Sequence, residues 1–261
     1  MITIKKIYCF DFDNTLFSRK NHKFHTQTIK LIDELSKNDD YILVVATGRR
    51  PSEKVYFSDV MEYFDYQIFL NGSICYHGDA TIYRKEIDRT NLKKIIDKAD
   101  QIHIPLGITS EYYEYVLNAS EEAKKRWTLP QGYVEIDKTF DFNGVSIFQL
   151  WILEEDRKKV DDFIAEFPHF KTFYWTEGGA HFVSDQVSKA VPLSLIKEKY
   201  NDYLLVTIGD GHNDIEMIEL SDIGIAMGNT KSEELKNKAN LIANHIDEDT
   251  MYDFFKKSNL L

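Results

Sequence analysis

Ile7-Tyr8-Cys9-Phe10-Asp11-Phe12-Asp13-Asn14-Thr15-Leu16 is the stretch whose reading decides the fold. A solid apolar run leads into two carboxylates separated by a single residue. Such a run reads as a strand buried on both faces of a parallel sheet. Residues i and i+2 of an extended backbone point the same way, so Asp11 and Asp13 can aim at one spot just beyond the strand. Asn14 and Thr15 favour a turn and end it. Two like charges side by side need a cation, a proton or strong donors to offset them. A strand that simply ends in a polar turn gives the same pattern, so the pair alone does not select a site.

Working outward, Thr26 to Asn38 alternates at helical spacing, with Thr26 placed to cap its start. A second buried strand, Tyr41 to Ala46, runs into Thr47-Gly48-Arg49-Arg50, and Pro51-Ser52 suits the entry to another helix. A third apolar run, Gln67 to Leu70, ends at Asn71-Gly72, and Ser73–Tyr76 with Ala80–Tyr83 reads as a projecting hairpin. Strand–helix–strand alternation predicts a parallel sheet with right-handed crossovers. From about Lys85 the texture changes. Helices over Asp88–Asp100, Ala119–Trp127 and Asp156–Phe167 are predicted. The strands are an exposed one over Ile108–Leu117, another over Val145–Leu153, and two over Phe170–Val183 around Gly178-Gly179. Together they suggest an α+β layer with an antiparallel, half-wetted sheet. The opening texture then returns with a helix after Lys189, the buried strand Tyr203–Ile208 and the loop Gly209-Asp210-Gly211-His212-Asn213-Asp214. Short strands over Ile223–Met227 and Asn240–Ala243 and a closing helix over Glu248–Lys257 complete the chain. The parse is one α/β sheet interrupted by an insertion, with residues 1–84 and 184–261 forming the core and residues 85–183 the inserted domain.

Composition bounds the function. With 261 residues, 43% of them hydrophobic and 13% aromatic, there is ample material for a packed interior. A net charge of -11 argues against a nucleic-acid footprint and means that an anionic substrate meets a repulsive average field. A phosphate site here must rest on local donors and a bound cation. Cys9 and Cys75 sit in apolar runs and suit buried thiols of a reducing compartment. No signal-peptide pattern and no apolar run near the ~20 residues of a membrane span is visible, so a soluble cytoplasmic protein is expected.

In open α/β sheets, ligands gather beyond the carboxyl ends of the strands. Three predicted strand ends carry Asp11/Asp13, Thr47-Gly48 and Asp210/Asn213/Asp214, and Lys189 begins the helix before the last of those strands. Singly, each has a plain explanation as a turn, a solvated lysine or a helix cap, Asn213 included. Their joint occurrence at corresponding strand ends points to a site. Oxygen donors without a histidine or cysteine cluster favour magnesium. Asp11 and Asp210 are the natural direct ligands, with the backbone carbonyl of Asp13 as a third. The Thr47 hydroxyl, the Gly48 amide and the Lys189 ammonium would hold phosphate oxygens. A carboxylate so placed is poised for in-line attack on phosphorus, giving an aspartyl-phosphate. The second aspartate can protonate the leaving oxygen and then activate water.

These residues resemble the motifs of the haloacid dehalogenase superfamily of phosphohydrolases, in its Cof-like branch. Asp11-Phe12-Asp13-Asn14-Thr15-Leu16 is similar to the nucleophile motif and Ala46-Thr47-Gly48-Arg49 to the phosphate-binding threonine motif. Lys189 matches the lysine, and Gly209 to Asp214 with Met217 the metal motif. Leu70-Asn71-Gly72-Ser73-Ile74 and Ile225-Ala226-Met227-Gly228-Asn229 are similar to further phrases of that branch. Asn14 and Ala190 stand where glycine is usual, which touches subfamily and substrate rather than the reaction. The resemblance implies a Rossmann-like parallel-sheet core with an inserted α+β cap that closes over the site and sets specificity. It implies Asp11 as nucleophile, Asp13 as acid/base, and Asp11, Asp13, Asp210 and Asp214 around Mg2+. Thr47, Gly48, Lys189 and Asn213 fall on phosphate, and Arg49 and Asn71 are candidate substrate contacts. In the cap, Glu177-Gly178-Gly179 is a candidate loop tip.

The expected function is a Mg-dependent phosphatase acting on small phosphorylated metabolites such as sugar phosphates or phosphorylated cofactors. The expected assembly is a monomer or weak homodimer, without nucleic-acid or membrane partners. A phosphomutase of the same superfamily is the alternative within enzymes. A phospho-accepting receiver-like signalling module is the alternative outside them.

Overall fold

The computed structural model describes residues 4–126, 132–174 and 179–261. The first segment supplies β1 (Lys6–Asp11), a small ribbon of β2 (Phe17–Ser18) and β3 (Lys23–Phe24), α1 (Thr26–Ser36), β4 (Tyr41–Ala46), α2 (Ser58–Met61), β5 (Tyr66–Phe69), and a hairpin of β6 (Ile74–His77) and β7 (Ala80–Arg84). Residues 85–187 supply α3 (Arg89–Gln101), β8 (Leu106–Ser110), β9 (Glu114–Leu117), α4 (Glu121–Arg126), β10 (Val134–Ile136), β11 (Ile147–Ile152), α5 (Arg157–Ile164), β12 (Phe170–Tyr174) and β13 (Ala180–Ser184). The last segment supplies α6 (Ala190–Lys199), β14 (Leu204–Gly209), α7 (Ile215–Leu220), β15 (Ile223–Ala226), α8 (Glu233–Lys238), β16 (Leu241–Ile242) and α9 (Met251–Lys257). The chain divides into two compact units. One is Met1–Arg49, Glu53–Arg84 and Ser188–Leu261; the other is Arg50–Ser52 with Lys85–Val187.

The first unit is built on an eight-stranded sheet in the order β16-β15-β14-β1-β4-β5-β6-β7. Its first six members are parallel, and the hairpin adds antiparallel pairings, β5 with β6 and β6 with β7, so that β6 runs against the rest. Strand β1 lies in the middle because its alternation loads both faces. Tyr8, Phe10 and Phe12 enter one core beneath α1 and α9, while Ile7 and Cys9 enter the other beneath α6 and α7. The same period of two turns Asp11 toward the face that carries α6. Register then lines up the carboxyl ends, with Asp11 opposite Ala46 and Gly209 opposite Ala226. Strand order reverses between β14 and β1, which places the switch-point crevice beside Asp11. Both cysteines are buried free thiols.

The second unit carries a six-stranded sheet in the order β10-β9-β8-β11-β13-β12. Leu106, Ile108, Leu150, Ile152 and Phe182 on one face pack with Leu92, Ile95, Val160 and Phe163 of α3 and α5. The sheet is antiparallel except for β9 and β10, which pair in parallel, so the wholly antiparallel expectation needs that correction. The single exposed strand expected over Ile108–Leu117 is two buried strands instead. Ser110 and Tyr113 close the turn between them, through Tyr113 N to Ser110 Oγ at 2.8 Å and Ser110 N to Tyr113 O at 2.9 Å. Tyr112 and Tyr113 stand exposed there, which is why the stretch reads as wet. Trp127 and the Glu177-Gly178 pair lie outside the described residues.

Two capping expectations also change. Thr26 is the first residue of α1, and the position before it, His25, makes no side-chain cap. The orphan amide of Gln27 is taken instead by Asp249 Oδ1 at 2.7 Å, from the far end of the sequence. Asn213 lies inside a 3-10 turn, His212–Asp214, that precedes α7. Ser232 caps α8, its side chain accepting from Leu235 N. Among the described residues, no helix is long and apolar enough to cross a membrane.

Candidate active site

Asp11 ends β1 and is 5% exposed. Lys189, just before α6, has a fully buried side chain, and its Nζ donates to Asp11 Oδ1 at 2.5 Å and to Asp214 Oδ1 at 2.6 Å. Asp214 Oδ2 in turn accepts the amides of Asp210 at 3.0 Å and Gly211 at 2.9 Å. Both oxygens of Asp214 are therefore engaged, and it braces the loop that presents Asp210. Gly209 permits this approach, since a Cβ there would sit 2.5 Å from Asp214 Cγ. Asp11, Asp210 and Asp214 each offer a carboxylate oxygen, and these atoms lie within 4.8 Å of one another.

The electrostatics follow from that crowding. Burial, then the charge of Asp214, pushes the Asp11 carboxyl from 3.8 up to about 7, against the pull of Lys189. Burial, then Asp11 and Asp214, raises Asp210 well above its ordinary value. Burial alone would lower Lys189, but Asp11 and Asp214 overcome it and hold the ammonium charged. Asp11 Oδ2 is buried without a hydrogen-bond partner. Four carboxylates (Asp11, Asp13, Asp210 and Asp214) face two cations, Lys189 and Arg49. A divalent ion would close that imbalance, and an all-oxygen donor set with one unengaged buried carboxylate oxygen fits a hard cation such as Mg2+.

Thr47 follows β4 and is buried, its amide bonded to Ile68 O at 2.8 Å and its hydroxyl accepting from Arg49 N at 3.1 Å. Gly48 lies against the Asn71 carboxamide, and Asn71 Oδ1 accepts from Asn213 Nδ2 at 2.8 Å. The structure places the Arg49 guanidinium on Asp13, with Nε to Oδ2 at 2.8 Å and Nη2 to Oδ1 at 2.7 Å. Its guanidinium carbon is 4.7, 5.2 and 5.8 Å from the rings of Phe57, Phe12 and Phe17. All ten residues singled out from the sequence fall in the first unit, at or beside the carboxyl ends of β1, β4, β5 and β14 or, for Lys189, at the start of α6. Sequence reasoning gave no role to Asn229. Its Nδ2 reaches Asn14 O at 3.0 Å and Asp210 Oδ2 at 3.4 Å, while its Oδ1 accepts from Ile246 N at 3.0 Å. Its place just past the carboxyl end of β15 was the available signal.

Acid cluster, buried ammonium and threonine–glycine loop meet at the switch point of a doubly wound α/β core. A family profile described as haloacid dehalogenase-like hydrolase matches residues 8–255, and the chain belongs to that family of enzymes. YkrA of Bacillus subtilis (strain 168) is 26% identical over 262 residues, covering 98% of each chain. In the same organism, 5-amino-6-(5-phospho-D-ribitylamino)uracil phosphatase YitU is 23% identical over 272 residues, again 98% of each. Among solved structures, a phosphatase of this superfamily from Bacteroides thetaiotaomicron superposes with a TM-score of 0.88 at 23% identity, over 99% of this chain and 96% of that one. That likeness speaks for the fold.

Proposed function

We propose that this chain is a magnesium-dependent phosphatase that hydrolyses phosphate monoesters of small metabolites through an aspartyl-phosphate on Asp11. The observation that carries the reading is Asp11 itself: one oxygen on Lys189, the other buried and unengaged, inside an acid cluster that fits a divalent ion. The names of YkrA and YitU both contain the word phosphatase, and YitU's names a phosphorylated ribityl compound. These names support the same class, with sugar phosphates or phosphorylated cofactors as substrates, and we assign specificity to the inserted unit.

In the proposed reaction the Asp11 carboxylate attacks phosphorus. The acyl-phosphate bond forms as the ester P–O bond breaks, and Asp13 gives its proton to the leaving oxygen. Water then attacks the same phosphorus, Asp13 takes the water's proton, and inorganic phosphate leaves with Asp11 restored. Thr47, Gly48 and Lys189 hold the other phosphoryl oxygens, and Arg49 pairs with Asp13 in its ionised form, the form that takes the water's proton. Mg2+, held by Asp11, Asp210 and the Asp13 carbonyl with Asp214 behind them, would neutralise charge between the nucleophile and those oxygens.

A panel of phosphorylated metabolites assayed for phosphate release, with Mg2+ and with excess chelator, tests the reading. Release from at least one monoester, lost on chelation, is expected. Accumulation of a phosphosugar isomer without free phosphate would replace it with a mutase. A second expectation is thermodynamic. Cation binding needs Asp11 ionised, so Mg2+ should raise the melting temperature clearly at pH 8 and much less at pH 5. Equal shifts at both pH values would refute the assignment of Asp11 as a ligand.

A further inference from the structure

Three consecutive residues after β5, Leu70, Asn71 and Gly72, have φ of 51°, 55° and 101°. Two of them carry side chains, all three are buried, and left-handed backbone is tolerated by Asn but unfavourable for Leu. A strained turn of this kind persists only where its surroundings over-determine it, and such turns gather at functional sites. Here the surroundings are three other loops. The amides of Leu70 and Asn71 bond the carbonyls of Arg49 and Thr47, each at 3.0 Å. The Asn71 carboxamide lies 3.1–3.3 Å from where a Cβ on Gly48 would stand. Its Oδ1 is taken by Asn213 Nδ2 at 2.8 Å. Gly72 presses so closely on the chain before Lys189 that a Cβ would stand 1.9 Å from Ser188 O and 2.9 Å from Lys189 N.

We infer that Asn71 is a positioning residue: from a left-handed turn it fixes the Asn213 carboxamide against the Thr47–Gly48 loop, so that both meet one phosphate group. It acts through Asn213, whose Nδ2 donates to the Asn71 Oδ1 at 2.8 Å, rather than by donating to substrate itself. The inference rests on the phosphatase reading for what the aligned groups bind. Gly72 performs the matching task for Lys189, since no larger residue fits between the turn and the Ser188 carbonyl.

Asn71→Gly is the informative variant. Glycine adopts the left-handed backbone without strain, so the fold is kept and only the carboxamide is removed. The expected result is a loss of about tenfold in kcat/KM on an aryl phosphate, the size of one lost hydrogen bond. Affinity for inorganic phosphate, read by calorimetry in the presence of Mg2+, should weaken by a similar factor. The melting temperature should stay within about 3 °C of the parent. In an Asn213→Ala background the same change should add less than about twofold, because its partner is already gone. Unchanged phosphate affinity in Asn71→Gly, or its full factor reappearing in the Asn213→Ala background, would overturn the inference. The two readings separate cleanly. A parent chain that binds phosphate yet releases none from any ester would sink the hydrolysis reading, while the calorimetric ratios still decide the role of Asn71.

Discussion

Asp11→Asn should lower phosphate release at least about 10⁴-fold, the scale on which losing a covalent nucleophile is felt. The same change should stabilise the metal-free chain at pH 8. Folding holds the Asp11 carboxyl at about 7 where its ordinary value is 3.8. Between those pH values the folded chain keeps a proton that the unfolded chain has released. The contribution of Asp11 to stability therefore falls as pH rises through that window and is flat above it. A neutral amide of the same shape removes that penalty, on the order of a few kcal/mol less whatever the Lys189 contact returns. Activity and stability thus move in opposite directions at one residue, as expected where a fold tolerates strain for function. Steady-state kinetics and thermal melting in chelator check both halves. Near-normal turnover by Asp11→Asn would end the aspartyl-phosphate mechanism.

Lys189→Met should fail in the other direction. The side chain is fully buried, and its ammonium is the shared partner of Asp11 and Asp214. An apolar chain of similar length leaves two buried carboxylates without a counter-charge, which typically costs about 3–5 kcal/mol. A fall of the order of 10 °C in melting temperature is expected at pH 8. The deficit should shrink toward pH 5, where Asp11 takes up a proton, and also with saturating Mg2+. Turnover should drop by about 10³-fold, because the same group faces the phosphoryl oxygens in the proposed reaction. A variant as stable and as active as the parent would mean that Lys189 is a bystander.

How much of this was legible in the residues varies with the physics behind each feature. The buried strands declared themselves, because β1, β4 and β14 are loaded on both faces and read as unbroken apolar runs. The polar groups beyond them were legible for the same reason: a parallel sheet collects its strand ends at one edge. What stayed hidden depends on partners remote in sequence. Nothing near Arg49 announces that its guanidinium will grip Asp13 amid three phenylalanine rings. Asp249 capping α1 across the whole chain has no local signature either. Asn71 was visible as part of an Asn-Gly turn, but a left-handed φ at Leu70 was not, since leucine rarely adopts it. In the inserted unit the alternation across Ile108–Leu117 concealed a turn, because Ser110 can close one without a glycine or proline.

The interleaving of the core sheet has a consequence for synthesis on the ribosome. Strand β1 has one neighbour, β4, close behind it in the chain, but its other neighbour, β14, is built almost two hundred residues later. Until then one long apolar edge of the nascent sheet has no partner, and such an edge invites pairing with another chain. Asp11 likewise waits for Lys189, Asp210 and Asp214, so a ribosome that stalls before Leu204 leaves a product with an incomplete acid cluster and a sticky border. A chaperone that shields this border during translation should matter more to the yield of this protein than to its activity once folded.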